Sequence, residues 1–436
     1  MKHITIALFC IALFICLIFN ISIIFALVAG LVIFAVYGVR SGYSIRKVGE
    51  FYLQGVLTVK NILITFLLIG MLTALWRRAG TIAVIVCFAQ KLIHPSIFLL
   101  MTFLLNCMVS FLTGTSFGTS ATMGVICATM GTSLGIPAAL TGGAVLSGAF
   151  FGDRCSPVST SALLVATVTK TDIFSNIKGM LKSAFLPFLI TCFIYTFAGI
   201  MLGKTGDIPD FSTVFGSEFD LSAVAVLPAG LLLLLSLFKV PVKPAMAASI
   251  LTSIPICTVL QYMPIRDLPG LLLTGYTAYT AEVGALLDGG GISSMLKVSA
   301  IVCISSAYSG IFRNTDLLDD IRAYVSGFAQ RATSFAAILV TSILASMISC
   351  NQTLAIMLTD QLAGAVEPDK DRLAIDLENT AVVVAPLIPW SIAGAVPLAA
   401  IGAPTVSITA ACYLYLIPIC EVIRSVTIKQ QSNGHC

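Results

Sequence analysis

Apolar blocks separated by short polar joints follow one another from residue 4 to residue 423 of this chain. Water offers such blocks no place to hide. In a bilayer, a helix of about 20 apolar residues crosses the hydrocarbon with its backbone groups bonded internally. The composition agrees, with 58% hydrophobic and only 10% charged residues and a mean hydropathy of +1.02. Soluble domains carry charge on roughly a quarter of their residues. The sequence therefore predicts an all-α polytopic membrane protein.

That reading excludes several function classes. No length remains for a catalytic domain in water, and no Walker loop, zincin motif or serine elbow occurs, so an ATP-driven pump and a hydrolase lose their marks and no enzyme is expected. The net charge of +4 is spread over many joints and indicates topology rather than nucleic acid. Thirteen cysteines without a C-x-x-C pair read as small buried hydrophobes. His3, His94 and His435 lie far apart, so no transition-metal site is expected.

Residues 4–38 hold two short spans turning near Asn20 and Ser22; with no A-x-A site, the first reads as a retained helix. Arg40, Arg46 and Lys47 mark a cytoplasmic loop. The acidic joint 204–220, with Asp207, Asp210, Glu218 and Asp220, reads as an extracytoplasmic connector between a first membrane repeat, 1–203, and a second, 221–423, followed by a polar tail, 424–436. Lys178 and Lys182 send the last span of the first half outward, and Lys239 and Lys243 send the first span of the second half inward. The halves then have inverted topology. Each half carries a re-entrant helical hairpin with a polar tip, about 96–135 with TGTSFGTS and about 333–366 with SCNQT. Each hairpin precedes a discontinuous transmembrane helix, about 138–169 with FGDRCSPVST and about 376–402 with ENTAVVVAPLIPWS.

Unwound backbone at membrane depth survives only where it is buried in protein or lines a cavity. The hydroxyls and amides of Thr115, Ser116, Ser156, Ser159, Thr160, Asn351, Gln352, Thr353 and Ser391, with carbonyls freed at the breaks, are hard oxygen ligands suited to an alkali cation. Scattered hydroxyls more often just pack helices, but these cluster at two matching breaks. Ionisable groups inside a span usually face a partner or a cavity. Asp153 is read as holding a cation or proton, with Arg154 holding an anionic group or tuning the acid; a mutually neutralising structural pair is the other reading. Glu378 joins the cation set, and Glu282, Asp376, Asn379 and Trp390 are second-rank candidates. The glycines 289–291 lack a nucleotide loop's lysine and read as a helix start.

At these residues the chain resembles a known family. TGTSFGTSATMGV, GIPAALTGGAVLSGAFFGDRCSPVSTSALLVA, LLDGGGISSML and LENTAVVVAPLIPWSIAG, in this order and spacing, are similar to the NhaC-type sodium/proton antiporter family. The resemblance covers most of the chain. It implies a secondary transporter of a prokaryotic inner membrane, surrounded by lipid and homodimeric, in which an elevator-like transport region carrying both hairpins moves against a scaffold. Sodium and protons are the implied coupling ions, with no other cofactor. Two acids common in the family are replaced, by Thr160 after S-P-x-S and by Asn379 after Leu-Glu. Sodium/proton antiport by alternating access is the leading expectation, and sodium- or proton-coupled transport of an amino acid or small carboxylate is the alternative. A channel or non-transporting receptor on the same scaffold is a third.

Overall fold

The computed structural model describes residues 2–19, 22–57, 59–89, 95–157, 159–202, 211–238, 240–315, 317 and 332–433. Asn20, His94, Asp207, Asp210, Lys239 and His435 lie outside the described residues. Within them the chain is helical, apart from one isolated bridge between Tyr276 and Gly289.

The helix Ile173–Leu202 shows what environment the fold requires. Phe185, Leu189, Phe193, Phe197 and Met201 recur every fourth residue and are all exposed. Its other face buries Asn176, Ser183, Thr191, Tyr195 and Gly199. A helix with its large apolar side chains outward and its polar and small ones inward is solvated by lipid, where the backbone is satisfied internally and packing favours small residues. Pro95–Thr113 and Lys243–Leu260 are also long and apolar enough to span. Two further pairs pass the same test only as bent units, Leu63–Arg78 with Thr81–Phe88 at 64° and Lys370–Leu387 with Ile392–Ala400 at 56°. The chain is a multi-pass membrane protein.

Both polar tips join two helices by the same backbone turn. Phe98–Thr113 ends at Gly114 in the left-handed region (φ 64°), and Thr115 then restarts a helix from φ −145°, ψ 125°. Ser334–Ser349 ends at Cys350, also left-handed (φ 53°), and Asn351 restarts Gln352–Ala363 from φ −145°, ψ 127°. The breaks match as well. Ala138–Cys155 stops at the extended Ser156, and after Pro157 the extended Ser159 caps Thr160–Thr169. Ala385–Leu387 stops at the extended Ile388, and after Pro389 the extended Ser391 caps Ile392–Ala400. Each break is thus an X-Pro-x-Ser step: the proline cannot bond back to the preceding turn, and the serine accepts amide hydrogens of the next helix.

These halves pack crosswise. Thr160–Thr169 lies on Gln352–Ala363 and Lys370–Asn379, while Ile392–Ala400 lies on Ala138–Cys155 and on Ser116–Thr119 and Ser120–Gly124. A separate aromatic cluster, Phe9, Phe34, Tyr308 and Phe312, has ring centroids 4.9 to 5.8 Å apart. It holds Lys2–Ile18 and Ile23–Arg40 against Leu296–Asn314. Tyr308 also reaches the second tip, its hydroxyl 3.0 Å from the Cys350 sulfur.

Part of the acidic connector is tied down. Glu218 accepts hydrogen bonds from Tyr276 Oη and Thr280 Oγ1, each at 2.7 Å. Burial works against its charge, but these bonds prevail and hold its carboxyl below the usual range. The glycines 289–291 fit the helix-start reading: Gly290 is the N-cap of Gly291–Ser294. The second broken helix differs from expectation in starting at Lys370, well before residue 376. Its first turn is polar and invisible to hydropathy, and Asp369 caps it by accepting from the amides of Asp371 and Arg372.

The tightest contact near the first break is at Gly152, where an added Cβ would sit 2.0 Å from the Ser110 carbonyl carbon and 2.2 Å from the Phe111 nitrogen. Gly152→Ala is expected to lose about 3 kcal/mol, the upper end for overpacking, whereas Gly230→Ala, whose Cβ meets nothing, leaves stability unchanged or slightly raised. Thermal unfolding in detergent checks this, and equal melting of the two variants would refute the close approach.

Candidate cation-binding site

Asp153 sits in the last turn before the first break and is 3% exposed. Its Oδ2 accepts from Ser161 Oγ at 2.9 Å and from Gln352 Nε2 at 3.0 Å. The Ser116 backbone amide also donates to this carboxylate. Ser159 donates to the Asp153 backbone carbonyl, and its oxygen accepts from the amides of Ser161 and Ala162. Gln352 Nε2 further reaches the Val382 carbonyl at 3.1 Å. One carboxylate therefore gathers the first tip, the half-helix after the first break and the second tip, and through Gln352 it touches the second broken helix.

Arg154 turns elsewhere. Its Nη1 donates to the Met180 carbonyl at 3.2 Å and lies 3.4 Å from the Cys155 sulfur. Its Nη2 donates to Ser183 Oγ at 2.7 Å and to Asn379 Oδ1. No ion pair joins Asp153 and Arg154 among the described residues, so the pair does not neutralise itself by direct contact. Both terminal nitrogens of the guanidinium are already committed to protein acceptors.

Glu378 completes the charged layer. It is 0% exposed, and neither carboxyl oxygen has a hydrogen-bond partner among the described residues. Arg154 attracts its charge and Asp153 repels it. Glu378 lies in the last turn of Lys370–Asn379, deep in the protein rather than at the interface suggested by the neighbouring Lys370, Asp371 and Arg372. Two acids and one base are thus enclosed together.

The other expected residues stand in several different places. Thr115, Asn351 and Ser391 act as helix caps, and Ser156 ends the first half-helix in extended backbone. Trp390 joins the second break to the hairpin by donating to the Met347 carbonyl at 2.9 Å. Thr160 and Thr353 are exposed and make no contact with Asp153 among the described residues. Glu282 is exposed beside Thr213, Ser217 and Thr280, apart from the breaks. Asn379 meets Arg154, and Asp376 faces a separate cavity. Sequence reading missed Ser161 and Ser183. Ser161 lies one residue past the hydroxyls chosen, and Ser183 sits in an apolar span whose buried face only its helical period with Asn176 and Met180 could reveal.

Comparison of the whole sequence decides the family. The Na+/H+ antiporter family matches residues 1–170 and 148–427. The chain belongs to this family. Within it, an NhaC Na+/H+ antiporter of Alkalihalophilus pseudofirmus is 27% identical over 82% of this chain and 79% of its own length. A malate-2H+/Na+-lactate antiporter of Bacillus subtilis is 28% identical over 85% of this chain and 81% of its own. An arginine/ornithine antiporter of Halobacterium salinarum is 27% identical over 83% and 77%. Relatives of similar distance in this antiporter family thus carry different solutes, so the solute has to be argued from the site.

Arg154→Met is expected to destabilise the fold by about 3–5 kcal/mol, because it strips the only base from a buried charged layer. Adding Glu378→Gln should restore part of that loss, with a coupling of about 0.5–3 kcal/mol in a double-mutant cycle. Denaturant unfolding in micelles measures it; strictly additive losses would show that the two groups do not sense each other.

Proposed function

We propose that this protein is a sodium/proton antiporter of the cytoplasmic membrane in which one sodium ion or one proton alternately balances the buried layer of Asp153, Glu378 and Arg154. The observation that carries the reading is the charge count. With both acids ionised, the layer is one negative charge in excess, and an uncompensated charge away from water is costly. A proton or a monovalent cation supplies the missing charge, and because either suffices, each displaces the other. That competition is the chemistry of antiport. It needs one excess carboxylate rather than two, so it survives Thr160 and Asn379 in place of acids.

Sodium is suited to the oxygen donors near Asp153: the carboxylate itself, the hydroxyls of Ser159 and Ser161, and the Gln352 amide oxygen. We assign Arg154 to tuning the acids, since its terminal nitrogens are taken. The matching tip and break dihedrals support two repeats of opposite topology. The crosswise packing supports a transport region made of both hairpins and both broken helices, moving as one body for alternating access.

Proteoliposomes loaded with sodium and diluted into sodium-free buffer test this. Outward sodium flow should acidify the lumen, and Asp153→Asn or Glu378→Gln should slow it by about 100-fold, equivalent to roughly 2.7 kcal/mol. If sodium alone moves no protons but a small carboxylate or amino acid restores flux, solute-coupled transport replaces this reading.

A further inference from the structure

A cavity of about 310 Å³ lies between Ile173–Leu202, Lys370–Asn379 and Cys412–Asn433. Its rim is exposed at Lys182, Asp371 and Arg424. Its lining also includes Ser183, the hydroxyl of which is 2.7 Å from Arg154 Nη2 and 3.3 Å from Asn379 Oδ1. The cavity therefore runs from a solvated rim down to the edge of the buried charged layer.

The lining also contains Asp376, which is 4% exposed and whose Oδ2 has no hydrogen-bond partner among the described residues. The charged groups acting on it are Arg372 and Glu367, Glu421 and Arg424, and Lys182 and Asp371 also line the cavity. Four of these are already matched, Arg372 with Glu367 at 3.7 Å and Arg424 with Glu421 at 3.2 Å. Lys182, Asp371 and Asp376 are the remaining charged groups of the lining, and no ion pair joins them among the described residues. The buried, unpartnered member of that set is Asp376.

We propose that this cavity is a loading site for a monovalent cation on the aqueous route to Glu378, with Asp376 as its anchoring carboxylate. The inference rests on the cation-coupled reading above. Lys178, Lys182, Lys370 and Arg372 place the cavity on the cytoplasmic side by the excess of basic residues. A cation held there meets the Asp376 oxygen that has no hydrogen-bond partner among the described residues. It also waits beside Ser183, one layer from the site it will enter.

The test is sodium protection of carboxyl groups in the purified full-length protein against a water-soluble carbodiimide with glycine ethyl ester, read by peptide mass spectrometry. Asp376 should be labelled in choline chloride, and about three-fold less in sodium chloride at twice half-saturation, by mass action. Asp153 and Glu378 should stay unlabelled in both. Equal labelling of Asp376 in the two salts, or none in either, overturns the proposal. In proteoliposomes, Asp376→Asn should raise the half-saturating sodium concentration about five-fold with little change in maximal rate, as for a group that only binds; an unchanged half-saturation also overturns it. Sodium protection without sodium-driven proton flux would sink the antiport reading and leave the cavity site standing. Flux without protection would do the reverse.

Discussion

The hydrogen-bond set around the Asp153 carboxylate is the constraint on which the rest of this structure depends. An ionised carboxylate inside a membrane protein is costly unless donors meet its lone pairs, and the amides within a continuous helix are already bonded. The donors that Asp153 uses come from places where helices start or stop: the amide of Ser116 at the first tip, Ser161 after the first break and Gln352 at the second tip. Tips and breaks thus bring these donors to the charge. Each leaves helix ends unbonded, and each is repaired by a cap, Thr115, Ser159, Asn351 or Ser391.

The separation of Asp153 from Arg154 follows from the same geometry. Adjacent residues on a helix point about 100° apart, so neighbours in sequence cannot both face the break. Asp153 takes the break, and Arg154 is left facing Ile173–Leu202, where Met180 and Ser183 supply acceptors. This puts the positive charge to one side of the Asp153 carboxylate rather than against it. An arginine on the site would repel sodium; an arginine beside it limits the cost of holding two acids together. With both acids ionised the layer is one charge short of neutral, the condition that the proposed exchange requires.

Much of this was legible in the sequence, and the parts that were not share a cause. Membrane class, both polar tips and both breaks were read from hydropathy and from proline, glycine and hydroxyl punctuation, and the described helices end at Gly114, Ser156, Cys350 and Ile388. The start of the second broken helix was missed because KDRL is polar, and hydropathy registers only the apolar part of a helix. Asp153 at a break and Ser116 and Gln352 at the tips were all named from the sequence, but the sequence could not say that they meet, since 199 residues separate the bonded Asp153 and Gln352. Thr160 drew attention through the family pattern, yet it is exposed; its neighbour Ser161 makes the contact. A motif gives the position of a turn, and the side chain that faces inward from it depends on helical phase.

Thr160 and Asn379 also bear on how this member differs within its family. Thr160 is exposed, so an acid there would lie outside the buried layer, whereas an acid at residue 379 would add a negative charge to it. Asn379 instead presents its carbonyl oxygen to Arg154, giving the guanidinium an acceptor without a charge. Arg154 is thereby oriented but not neutralised, and its field remains available to Glu378. An aspartate at residue 379 would pair with Arg154 directly and release Glu378 from it, shifting the excess to two. The neutral amide leaves Arg154 as the counter-charge of Glu378, which the proposed exchange of a single charge requires.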